Sequence, residues 1–279
     1  MTVEIIRANE SLFNAGLVLP QWILKDYINL TIPSEADLVA ESAVQRYPIG
    51  TQFKRDGRIY RYCKAGEAMA VGHQGFLKVS RTVCPGGTGG GGSEAALYQA
   101  AAAEDTVIWL GDTTDRAKDY YEDGFMVVMN DLLHYNRYRI IGSDIATTLD
   151  YVKVKIAPPG LKAAHAIAAG TVGAYRSPWI DIRSMLTAAN QSWFSPVGMA
   201  PFAITSGYFF WLQTAGPCWG TGASTWPGQT ANQRTVMANT DGSLIGITAT
   251  TYLYQRVGYL LSGTQSDYGD VFFMLQLDQ

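Results

Sequence analysis

The sequence predicts an all-β protein: a β-sandwich or barrel body preceded by an N-terminal arm that contains one short helix. Three observations carry that prediction. Short apolar runs with strand-like alternation recur from about Gly50 to the C-terminus. Gly and Pro punctuate them throughout, as expected for many short strands joined by turns. Asp56-Gly57 sits between two such runs and is the strongest short hairpin signal in the chain.

Residues 1–47 read as the arm. Leu17 to Leu30 mixes Leu, Pro, Trp and Tyr without a sustained period. Ser34-Glu35-Ala36-Asp37 has the form of a helix start, with Ser34 as N-cap and acids in the first turn. The expected helix runs to about Arg46, where Pro48-Ile49-Gly50 stops it. Residues 48–279 form the β-rich body. It is read either as one large domain or as two subdomains, 48–84 and 105–279, joined by the Gly-rich loop 85–92.

Within the body, Thr51–Lys54 and Arg58–Cys63 flank the Asp56-Gly57 turn, and Phe76–Val83 follows as another alternating run. Ser93–Ala103 is Ala-rich and reads as a helical stretch or a continuation of the loop. Further strands are expected at Thr106–Leu110, Gly124–Met129, Arg137–Ile141 and Tyr151–Ile156. The last of these alternates cleanly, with Val152, Val154 and Ile156 inward and the lysines outward. Leu161–Ala169 reads as a short helix or a loop. Tyr208–Gln213, Ser243–Thr250, Val257–Leu261 and Val271–Leu277 complete the set. Val271–Leu277 is apolar on both faces, which places it centrally in a sheet or under a partner.

Charge sets the functional expectations. Charged residues make up 16% of the 279-residue chain, against roughly 25% in ordinary soluble proteins. The stretch Ser184–Gln233 contains no charged residue and no histidine over 50 positions, yet it holds four of the seven Trp. It is no membrane span, because its longest apolar run, Tyr208-Phe209-Phe210-Trp211-Leu212, falls far short of roughly 20 residues. The net charge of −3 gives no basic footprint for nucleic acid. A surface so poor in charge is prone to associate, as expected for an assembly component.

Reactive chemistry is sparse. Cys63, Cys84 and Cys218 have no metal-ligand spacing and read as free thiols. The N-terminus lacks the basic-then-apolar pattern of a signal peptide, which points to a reducing cytoplasm. Gly86–Gly92 ends in Ser93-Glu94, an acid where a phosphate loop requires Lys. His73, His134 and His165 pair with no nearby Cys or His, and Gly216-Pro217-Cys218-Trp219-Gly220 reads as a tight apolar turn that raises a thiol pKa. Asp112, Asp115, Asp119, Glu122 and Asp123 form an acidic cluster, interrupted by Arg116 and Lys118, with no EF-hand spacing. No catalytic, metal or cofactor site is assigned. Exposed Trp on a β surface can stack on sugars, but aromatic residues also dominate cores and interfaces.

Three stretches are distinctive: Tyr208–Trp219, Gly50–Tyr62 and Tyr120–Phe125. In this order they resemble tailed-bacteriophage virion proteins, the capsid decoration or cement proteins, loosely over Gly50–Gln279. The resemblance implies a β-rich, often trimeric, non-enzymatic protein. It would be made in the host cytoplasm and would sit on the capsid exterior, clamping adjacent major capsid subunits. The partners expected are therefore the major capsid protein and further copies of the chain, with no nucleic acid and no membrane. The candidate contact residues are Phe13, Leu17, Trp22 and Tyr27 in the arm, with Trp193, Trp219 and Trp226 in the uncharged segment. The alternative reading is a tail, baseplate or receptor-binding adhesin whose Trp-rich loops meet a host glycan. A polysaccharide depolymerase is the enzyme reading.

Overall fold

The structure, a computed structural model, describes residues 15–18, 31–78, 97–111, 115–129, 135–145, 151–166, 171–184, 194–224, 226–228, 233–239, 241–247, 255–262 and 270–278. They are almost entirely β, and the chain divides into two compact units. Unit 1 is Met1–Val79 with Trp179–Gln279, and unit 2 is Ser80–Pro178. The division differs from the subdomains expected at 48–84 and 105–279. The Gly-rich run 85–92 lies outside the described residues. The chain returns into unit 1 at Trp179, directly after Ser177-Pro178.

Unit 1 contains β1 (Leu17–Val18), α1 (Glu35–Leu38), β2 (Gln52–Arg55), β3 (Arg58–Lys64) and β4 (Gln74–Lys78). Unit 2 then supplies β5 (Val107–Gly111), β6 (Phe125–Met129), β7 (Tyr135–Ser143), β8 (Tyr151–Ile156) and β9 (Thr171–Tyr175). The chain returns to unit 1 for β10 (Ile182–Arg183), β11 (Phe194–Met199), β12 (Phe209–Thr221), β13 (Thr235–Ala238), β14 (Leu244–Gly246), β15 (Arg256–Leu260) and β16 (Asp270–Gln276).

The sheet of unit 1 runs β1-β2-β3-β12-β16-β15-β13-β14, with β11 bridging β12 and β4, and β10 pairing β4. All of these strand pairs are antiparallel. The β2–β3 hairpin closes on Asp56 (φ 49°) and Gly57 (φ 73°), with Arg55 opposite Arg58, the two-residue turn its Asp-Gly foretold. β12 is the organising strand. Its first half pairs with β3 and its second half with β16. A register shift at Gln213/Ala215 marks the handover. There Gly216 (φ +95°) lies against the hairpin turn, and a Cβ would come 2.3 Å from the Gly57 carbonyl oxygen. The bulge is held by Gln213 Nε2, which donates to the Ala215 and Pro217 carbonyls, and by Thr214 Oγ1, which donates to Ile59 O.

The arm is a correction. Its described part is built into the core of unit 1. Leu17 (1% exposed), Leu38 and Tyr47 pack with Phe53, Tyr60, Tyr62 and Trp211 in one cluster. The Trp211 ring meets Tyr47 and Tyr62 at 5.0 and 5.1 Å. β1 extends the sheet through β2. The helix is shorter than expected. Ser34 and Asp37 form a reciprocal capping box, but the helix ends at Leu38. Only Leu38 of its residues is buried, so no apolar stripe sustains further turns. By Ser42 the chain instead exchanges two backbone hydrogen bonds with Phe209 at the start of β12.

Unit 2 is an antiparallel sheet in the order β5-β8-β7-β6-β9. One face buries Ile108, Leu110, Met126, Ile140, Val152 and Val154 under Leu97, Ala101, Tyr121 and Leu161. No helix forms at 97–103 or 161–166. Leu97 and Ala101 instead make β-bridges to Leu110 and His165. In the acidic segment Asp119 Oδ1 accepts from Ser143 N–H, and Asp123 pairs with Arg139. Partial burial, then the neighbouring Asp119 and Asp123, push the Glu122 carboxyl up to about 7.

Candidate interaction surface

The second half of β12 alternates. Cys218 points into a cluster with Val257, Leu260, Val271, Phe273 and Leu275, while Trp219 is 63% exposed on the opposite face. Cross-strand register extends that outer face. Trp219 lies opposite Phe272 on β16, and their rings meet at 4.8 Å. Pro217 lies opposite Met274, which in turn lies opposite Tyr259 on β15. Leu261, 40% exposed, donates its backbone N–H to Phe272 O. Directly opposed residues share a face of a sheet. The result is an outward patch of aromatic and aliphatic side chains across three strands.

The patch is poor in ionic groups because the strands supplying it are. β12 has no charged residue, and neither does β16 after Asp270. Arg256 at the start of β15 is engaged locally, donating to Gln276 Oε1 and Gly258 O. An outward Trp, Phe, Met, Tyr and Leu set on a strand trio whose other face is already buried is apolar surface beyond what folding of the unit requires.

The expected contact residues separate in the structure. Trp219 is the most exposed residue of the patch. Trp226 is half-buried and packs against the inner cluster of the same strands. Leu17 is a core residue and offers no contact surface, because its alternation in β1 turns it onto Trp211 and Phe53. Phe13, Trp22, Tyr27 and Trp193 lie outside the described residues. Sequence reading missed Phe272, Met274, Tyr259 and Leu261 as surface partners. The signal was present in the two-sided apolar character of Val271–Leu277, but register alone says which residues stand beside Trp219.

The thiols and carboxylates nearby are held in structural roles. Cys218 lies within β12 rather than in a turn, and burial pushes its thiol up to about 12. Cys63 is buried and is also raised. Asp278 receives Nε and Nη2 of Arg61, with a further donor from Gln52. Burial alone would raise this carboxyl, but the hydrogen bonds and charge of Arg61 outweigh it and hold it below its usual value. Among the described residues no three His, Cys, Asp or Glu gather into a group that could hold a metal ion. Among them, too, no helix is long and apolar enough to cross a membrane. No known protein family, curated protein or solved structure matches the chain.

Proposed function

We propose that the chain is a non-enzymatic structural protein of a virion, of the capsid decoration or cement type. It binds the outside of the shell through the Trp219 face and clamps adjacent major capsid subunits, associating with further copies of itself as a trimer. The observation that carries this reading is the uncharged outward patch in which exposed Trp219, Tyr259 and Leu261 flank half-buried Phe272 and Met274. Such side chains supply contact area and shape rather than proton transfer, and Trp is enriched among binding hot spots. Contacts of this kind weaken little with salt, and repetition over a shell turns modest single-site affinities into firm attachment. The sparse charge of the C-terminal half fits a surface covered by neighbours.

The test is rebinding of the purified protein to stripped shells, followed by electron microscopy. Wild type is expected on the shell exterior, and Trp219→Ala is expected to lower affinity by about 2 kcal/mol or more while leaving the melting curve in place. A protein that remains a monomer and never co-sediments with shells would sink the reading.

A further inference from the structure

The outer face of unit 2 has a different chemistry. On β8, Tyr151, Lys153 and Lys155 project away from the buried Val152, Val154 and Ile156, spaced about 7 Å apart along the strand. Across the register Trp109 stands opposite Lys153. Tyr98, 44% exposed, joins them. The Tyr151 ring lies 4.6 Å from Tyr98 and 4.7 Å from Trp109, and Lys153 Nζ is 4.2 Å from the Trp109 ring centre. Neither Lys153 nor Lys155 has an ion-pair partner among the described residues.

We propose that this face is a binding site for a carboxylate-bearing oligosaccharide, with a sugar ring packed on Tyr98 and Tyr151 and its carboxylate held by Lys153 and Lys155. The electron-rich faces of aromatic rings attract the weakly positive C–H groups of a pyranose. Two ammonium groups without carboxylate partners among the described residues give the charge complement. A single-stranded nucleic acid fits less well. It stacks successive bases on successive ring faces, but here the Trp109 ring carries Lys153, and the Phe125 ring on β6 carries the Arg139 guanidinium at 5.2 Å. That leaves one ring cluster for one sugar rather than a run of bases.

The test is calorimetric titration of the full chain with oligogalacturonate, with its methyl ester as the uncharged counterpart, and with a thymidine oligonucleotide. Oligogalacturonate is expected to bind saturably, and the methyl ester about tenfold more weakly. Lys153→Gln with Lys155→Gln should bring oligogalacturonate down to the level of the ester. Tyr98→Ala should weaken both sugars about tenfold with an unchanged melting temperature. Trp219→Ala should change neither, which separates this site from the face of unit 1. Absence of saturable binding, equal affinity for acid and ester, or tighter binding of the oligonucleotide would each overturn the proposal.

Discussion

The outer faces of β12–β16–β15 and of β5–β8 are both aromatic surfaces raised on antiparallel strands whose inner faces are buried, yet they differ in charge. Around Trp219 the neighbours are Phe272, Met274, Tyr259 and Leu261. Around Trp109 they are Tyr98, Tyr151 and two lysines. The first face suits a broad, dry, salt-tolerant contact. The second suits a small polar ligand whose affinity falls with ionic strength. Strand alternation made both faces, and the residues placed at the outward positions decided what each could hold.

Experiments can break or sharpen this contrast, beginning with the scaffold. Trp211→Ala removes the central ring of a core cluster of unit 1 and should cost about 3–5 kcal/mol. Because unit 2 has its own core, calorimetry and hydrogen exchange should show the loss in β3 and β12 while β5–β9 keep their protection. Equal loss in both units would mean that they do not unfold independently.

Leu17→Ala should cost about 2–4 kcal/mol if β1 is as integral as its burial indicates. A loss close to zero by chemical denaturation would restore an arm separable from the body.

A smaller effect concerns the end of the chain. The Asp278 carboxyl is held low by Arg61, so its stabilisation is fully present above its ordinary value of 3.8 and is lost as pH falls through the lower folded value. Asp278→Asn should therefore cost about 1.5 kcal/mol at neutral pH, with the gap to wild type closing in acid. A gap independent of pH would assign the effect to packing.

The smallest expected effect is chemical. Since burial lifts the Cys218 thiol to about 12, native protein at pH 8 should leave it unalkylated, and unfolding should expose it. Labelling of native protein would show that the inner cluster opens under the Trp219 face.

Much of the fold was legible in the residues. The Asp56-Gly57 hairpin, the capping box at Ser34, and the inward Val152, Val154 and Ile156 all follow from local rules acting over a few positions. The strands that were missed, β1, β9, β10, β11 and β13, are short or rich in Gly, Thr and Ala, and long-range pairing defines them more than their own pattern does. Trp219 was legible as a candidate contact because Trp in an uncharged strand is conspicuous. Leu17 was misjudged because sequence gives no view of what packs against it.

Local chemistry thus determined the class of this protein: strands by alternation, turns by Gly and Asp, and a segment, Ser184–Gln233, free of charge. Tertiary structure alone decided the rest. It joined strands from early and late in the chain into one sheet, folded the described part of the expected arm into the core, and set Phe272 beside Trp219. The physical reason is that side-chain alternation is a property of single strands, whereas register and burial depend on which distant strand lies alongside.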